Sequence, residues 1–243
     1  MPNLPPLKPI DLNSLSRADL EAMDAAGEQI NDCYRLLKKG SINIVGECLK
    51  DQGTFFQMEH YPQGDVYDSE TFAQYYYHNH REDMDEHGHF HTFMRAGGID
   101  AGTKPVPYDG EVKWELGKDA VSHVICISMD KAGFPIGLFA TNRWVTGETW
   151  YRSEDVVTML DNWVIDHAFP NLSVNLWITA MMRLFRPQIV ELLQHRDQVI
   201  QSWADENTDN DVFEDRKLEV TGEMPISVEK QHELVKTALS KMH

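Results

Sequence analysis

Residues 120–145 read AVSHVICISMDKAGFPIGLFATNRWV. The first half alternates, with His123, Ile125 and Ile127 on one side and Val124, Cys126 and Ser128 on the other. That is the period of a strand. Lys131-Ala132-Gly133 supplies a short turn, and FPIGLFATNRWV returns as a second strand. This hairpin is the seed of a central antiparallel sheet. Upstream, HFHTFMR (residues 89–95) suits a further strand, and TFFQMEHYPQGDVYD (residues 54–68) reads as a strand running into a turn. Between these strands, FAQYYYHNH (residues 72–80) follows Asp68 and Ser69, either of which can cap a helix, and a helix is expected there. The Gly- and Pro-rich stretch 96–111 is a loop.

Helical periodicity flanks this centre on both sides. Ser16 and Asp19 have the spacing of a capping box, and Leu20, Met23, Ile30, Cys33 and Leu37 follow at helical intervals, predicting a helix over 16–39. A shorter helix is expected over 41–50. From Ser153 the period is helical again until Pro170. The almost wholly apolar NLSVNLWITAMMRLF (residues 171–185) is either a buried helix or one that faces a partner subunit. Pro187 belongs in the first turn of the next helix, residues 204–226 form an acidic linker, and a last helix covers 227–242. The order helices, sheet, helices gives an α+β fold, with N-terminal and C-terminal helices packed on a central antiparallel sheet. The whole chain is expected to be a single domain, with residues 1–13 as a Pro-rich arm. Neither GxGxxG nor a P-loop is present.

Composition narrows the setting more than the function. The 243 residues carry 22 Lys and Arg against 39 Asp and Glu, a formal net charge of −17. That balance argues against nucleic acid or an anionic membrane surface as partner. Cys33, Cys48 and Cys126 form no CxxC pair, which suits a reduced compartment. The N-terminal stretch has no apolar signal-peptide core, and no run reaches the ~18 apolar residues of a membrane span. A cytoplasmic location is the expectation.

The chemistry concentrates in YYYHNHREDMDEHGHFHTFMR (residues 75–95), which holds His78, His80, His87, His89 and His91. Eleven histidines spread evenly over 243 residues would place about 0.6 in a 14-residue window, so five in one window need a cause. Neutral imidazole is the commonest protein ligand for a metal. Strand positions i and i+2 point the same way about 6.7 Å apart, so His89 and His91 can aim at one ion. His123 from the adjoining strand would complete a three-histidine site, and His87 shares their face and could replace one of them. His78 and His80 diverge if the expected helix runs through both, which would leave one of them a bystander. Glu86 is the nearest base or fourth ligand, with Glu82 and Asp85 close by. Tyr77 and an arginine, assigned to Arg95, would orient substrate. Cys126, on the side opposite His123, would be packed rather than reactive. Histidines at the mouth of a sheet can also bond acids and tyrosines and bind nothing. HExxH, CxxCH and the cupin spacing are all absent.

YYYHNHRE and EHGHFHTFMR, followed by SHVICISMD and PIGLFATNRWVTGETWY, resemble a bacterial family of unknown function that shares this histidine-rich core. The resemblance covers roughly residues 55–190 and implies no activity. The residues themselves point to a divalent metal, iron or zinc first and copper next. They suit a metal-dependent enzyme, an oxidoreductase or hydrolase, acting on a small polar or anionic molecule. The alternative is a non-catalytic metal, haem or small-ligand module, or an accessory subunit of a homo-oligomer or larger complex.

Overall fold

A computed structural model of the chain describes residues 5–80 and 86–242. In chain order the elements are α1 (Arg17–Lys39), α2 (Ile44–Leu49), β1 (Tyr61–Tyr67), β2 (Ala73–His78), β3 (Gly88–Arg95), β4 (Val121–Met129) and β5 (Pro135–Thr141). Then follow α3 (Arg143–Thr146), α4 (Ser153–Asp161), α5 (Leu172–Leu184), α6 (Arg186–Glu206), β6 (Val220–Pro225) and α7 (Val228–Ser240). The strands form one sheet in the order β1-β2-β3-β4-β5-β6, antiparallel throughout. The fold is α+β, with N-terminal and C-terminal helices around the sheet.

The apolar core lies on one face of that sheet. It collects Tyr75, Tyr77, Phe90, Ile125, Ile127 and Leu138, and excludes their alternating neighbours Tyr76, Phe93, Cys126 and Phe139. Helix α5 lies over this face, with Trp177 ring-to-ring against Phe90 at 5.6 Å and Asn175 accepting a 2.6 Å hydrogen bond from Tyr75. It is therefore packed inside the chain's own core, and the partner-facing reading of its apolar composition falls away. Helix α1 packs on α5 and α7. Its Ser16–Asp19 capping box forms as expected. The cap is worth ~1 kcal/mol. Each of the buried Leu20, Met23, Ile30 and Leu37 side chains contributes about 1.5–3 kcal/mol. The apolar stripe, not the cap, decides where α1 lies.

Residues 72–80 are not helical: Ala73–His78 form β2, paired residue for residue with β3. All six of its side chains are buried, so polarity carries no period, and aromatic residues pack well on a pleated surface. Asp68 instead closes the turn before the strand, accepting from the amides of Glu70 and Thr71. Strand β5 stops at Thr141, because Asn142 caps the single helical turn of α3. The acidic stretch 204–226, expected as a linker, contributes β6 as the last strand.

The decisive irregularity lies between β3 and β4. His89 pairs with Ser128, His91 with Cys126 and Thr92 with Ile125, but Phe93 pairs with His123. Val124 is the extra residue of a β-bulge. The bulge reverses the parity of β4 beyond it. His123 and Cys126, which strict alternation sets on opposite faces, point to the same one.

Candidate metal centre

The face of the sheet opposite the helices carries the histidines. His78 sits directly across from His89, Tyr76 from His91, and His91 from Cys126. Neighbouring strands lie about 4.8 Å apart, so side chains on these rungs must meet. This face is also withdrawn from solvent, and His89 and His91 are fully buried.

His78, His80, His89 and His91 each offer one ring nitrogen within 4.8 Å of the others. The Nε2 atoms of His78 and His89 are 2.9 Å apart. Zinc–nitrogen bonds of 2.0–2.1 Å in a tetrahedron hold their nitrogens about 3.3–3.4 Å apart, so this pair opens by a few tenths of an ångström to admit an ion while the other rings close in from within 4.8 Å. The buried Glu86 carboxylate stands 2.5 Å from His89 Nδ1. It takes that ring's N–H and leaves the Nε2 lone pair turned toward His78. A carboxylate behind a ligating imidazole is the common way to fix its tautomer and raise its basicity. His80 is the partly exposed member, with its ring toward Glu219 at 3.7 Å. His60 closes the same edge, stacked on Tyr76.

The electrostatics keep His78, His91 and His123 neutral. Burial, reinforced by repulsion from His89, His80 and His60, pulls His78 down to about 2. Burial and the neighbouring imidazoles hold His91 far below its ordinary range. His123 falls to about 3 through burial, the Arg196 guanidinium and His89. At neutral pH the ring lone pairs are available to a cation.

A second constellation adjoins the first through His91. His91 Nδ1 lies 3.1 Å from His123 Nε2 and 3.2 Å from Cys126 Sγ, and Sγ lies 3.4 Å from His123 Nε2. The His123 amide donates to the buried Glu148 carboxyl at 2.7 Å. Burial pushes Glu148 up to about 7, against the pull of Arg196 and this hydrogen bond.

A family model described as a domain of unknown function, DUF6969, matches residues 24–226. The chain belongs to the DUF6969 family. The match takes in both constellations and agrees with the family resemblance carried by the histidine-rich core. No curated protein and no solved structure matches the chain. No helix among the described residues of this DUF6969 chain is long and apolar enough to cross a membrane.

The structure separates the residues expected at the site into four places. His78, His89 and His91 come together with Glu86, while His123 joins His91 and Cys126 rather than the ring of His89. Tyr77 and His87 lie on the helical side. The Tyr77 hydroxyl meets His87 Nδ1 at 2.7 Å, and His87 stacks on Phe55. Gly88 begins β3, so His87 precedes the strand and does not share its alternation. Arg95 is four residues beyond His91, about 13 Å along the strand, with its Nε bonded to Gln74 at 2.5 Å. It does not reach the imidazoles. Glu82 and Asp85 lie outside the described residues.

Two members of the clusters were not expected as ligands: one of His78 and His80 was to be a bystander, and Cys126 was to be packed. His80 lies two residues past the end of β2, and it meets His78 and His89 because the segment is extended rather than helical. Cys126 meets His91 through strand pairing, and the bulge, for which the sequence holds no signal, brings His123 to join them. Tyr76, which tilts over His91 at 5.1 Å, takes the place expected of Tyr77.

Proposed function

We propose that the chain binds a divalent metal ion through His78, His80, His89 and His91, and that the ion acts in catalysis on a small polar molecule. One observation carries this: four imidazoles, three of them buried on the paired strands β2 and β3, converge within 4.8 Å, with a carboxylate behind one of them. A metal-free polar network explains the cluster less well. Glu86 takes the Nδ1 proton of His89, so the His89 Nε2 lone pair faces His78 Nε2 at 2.9 Å, and a cation between the two rings is shared by both nitrogens.

Imidazole suits zinc, iron and copper alike. Four imidazoles close a tetrahedral zinc, whereas an ion that takes five or six ligands keeps room for substrate. Iron therefore fits the enzyme reading best, with approach from the partly exposed His80 side. The ion's own charge favours an anionic group on the substrate. Complete burial of His89 and His91 favours a second reading, a closed metal carrier or structural site.

Elemental analysis of tag-free chain, purified without chelators, tests the proposal against a His89→Ala, His91→Ala double variant. At least one equivalent of iron, zinc or copper is expected in the parent and none in the variant. Metal absent from the parent, or retained by the variant, removes the proposal. A spectral shift when azide is added to the iron-loaded chain separates an open ion from a closed one.

A further inference from the structure

We infer that Cys126, with His91 and His123, forms a second, thiolate-bearing metal position, so that the centre takes two ions sharing the His91 imidazole. The inference rests on the metal reading above and extends it from one ion to two.

The three candidate ligand atoms form a nearly equilateral triangle. His91 Nδ1 to His123 Nε2 is 3.1 Å, Sγ to His91 Nδ1 is 3.2 Å, and Sγ to His123 Nε2 is 3.4 Å. Around a tetrahedral ion with bonds of 2.0–2.1 Å to nitrogen and 2.3 Å to sulfur, the corresponding edges are about 3.4 Å and 3.6 Å. Each edge opens by only a few tenths of an ångström. The sulfur lies 3.2 Å from His91 Nδ1 and 3.9 Å from its Nε2, beside the ring, so a rotation of His91 aims Nδ1 into the triangle when an ion enters. Nε2 is then the nitrogen that serves the four-imidazole position.

The ordinary reading of a buried cysteine is that of a small hydrophobe. Cys126 departs from it, because its sulfur touches two imidazole nitrogens and it is not a member of the main apolar core. Hydrogen bonding alone serves the triangle poorly. A ring nitrogen that carries a proton cannot also accept one, so the mutual contacts of Sγ and two nitrogens cannot all be satisfied. A cation satisfies three lone pairs at once. The local backbone is shaped for this: without the extra residue at Val124, His123 would face the helices. Bulges recur beside functional sites because they re-aim a side chain.

A thiolate with two imidazoles is softer than four imidazoles and selects zinc or copper(I). Three protein ligands leave one position for a small molecule. Filling both positions releases two protons to solvent, one from the Cys126 thiol and one from the His91 ring, whose two nitrogens then each bind an ion.

Cobalt(II) tests this, because its thiolate complexes absorb strongly in the near ultraviolet. Metal-free full-length chain is loaded with cobalt and bound metal is counted in the parent and in Cys126→Ser, His89→Ala and His91→Ala. Circular dichroism is recorded on each. The parent is expected to hold two equivalents and show the thiolate band. Cys126→Ser, nearly isosteric, loses the band and one equivalent. His89→Ala keeps the band and loses the other equivalent, and His91→Ala loses both. One equivalent without the band, lost in His89→Ala and kept in Cys126→Ser, overturns the second position and leaves the four-imidazole site standing. A band that survives Cys126→Ser overturns the assignment of the sulfur. No bound cobalt in the parent overturns both readings.

Discussion

Replacing Glu86 by glutamine isolates the one carboxylate that the structure sets behind a candidate ligand. Glu86 is buried, and its Oε1 stands 2.5 Å from Nδ1 of the fully buried His89. An amide keeps the shape and can still accept the ring proton, but it loses the charge. Hydrogen bonds to a charged group contribute about 1.5–3 kcal/mol against about 0.5–1.5 for neutral pairs, a difference of about 1.25 kcal/mol. That is a factor of about ten in a binding constant, at the lower edge of the 10–100-fold loss seen when a carboxylate behind a metal-bound histidine is removed. Glu86→Gln is therefore expected to bind zinc about tenfold more weakly than the parent in a chelator competition. Glu86→Ala should fall further. The melting temperature of the metal-free protein should fall far less than in a core truncation. Equal zinc affinity in parent and Glu86→Gln, with binding abolished in His89→Ala, would show that the carboxylate does not tune the ligand.

Three further outcomes follow from the same geometry. A Cβ added at Gly88 would lie 2.6 Å from both the His78 carbonyl oxygen and the Tyr77 hydroxyl. Gly88→Ala is therefore expected to lose about 1–3 kcal/mol of stability by urea titration, and a neutral result would show that β2 and β3 separate easily at that rung. Tyr77→Phe removes a hydrogen bond to His87 on the far face of the sheet and should leave metal stoichiometry unchanged; loss of the ion would return Tyr77 to the site. Acid should weaken the metal-free fold. His78, His91 and His123 titrate lower in the fold than in the unfolded chain, so their stabilisation is present above about 6.5 and is lost as the pH falls toward their folded values. Glu148, raised to about 7, opposes this between its ordinary value and 7. Each group contributes at most about 1.4 kcal/mol per pH unit, so three against one leaves up to about 3 kcal/mol lost per unit on acidification. A urea midpoint that stays level or rises from pH 6.5 to 5 would contradict these directions.

Much of the architecture was legible without coordinates because it rests on local chemistry. The Ser16–Asp19 box, the stripe from Leu20 to Leu37 and the Gly133 turn are each settled within a few residues of chain. So is the alternation of β4 up to its bulge. The clustering of His78 with His89 and His91 was visible as density, and their i, i+2 spacing sufficed to aim two of them together. The sequence therefore determined an acidic α+β chain with a histidine-rich centre.

The rest depended on pairing between strands, which no local pattern records. Residues 73–78 are buried on both faces, and a segment without a polar face shows neither a helical nor a strand period; only pairing with β3 makes it a strand. That choice set His78 across from His89, turned His80 into a neighbour of both, and exchanged Tyr77 for Tyr76. The acidic stretch before α7 is a strand only because β5 offers it an edge. One extra residue at Val124 moved His123 onto the face of Cys126, since side chains alternate with a period of two and a single insertion flips everything beyond it. Sequence determined which ligands the chain possesses, and the register of the folded sheet decided which of them meet.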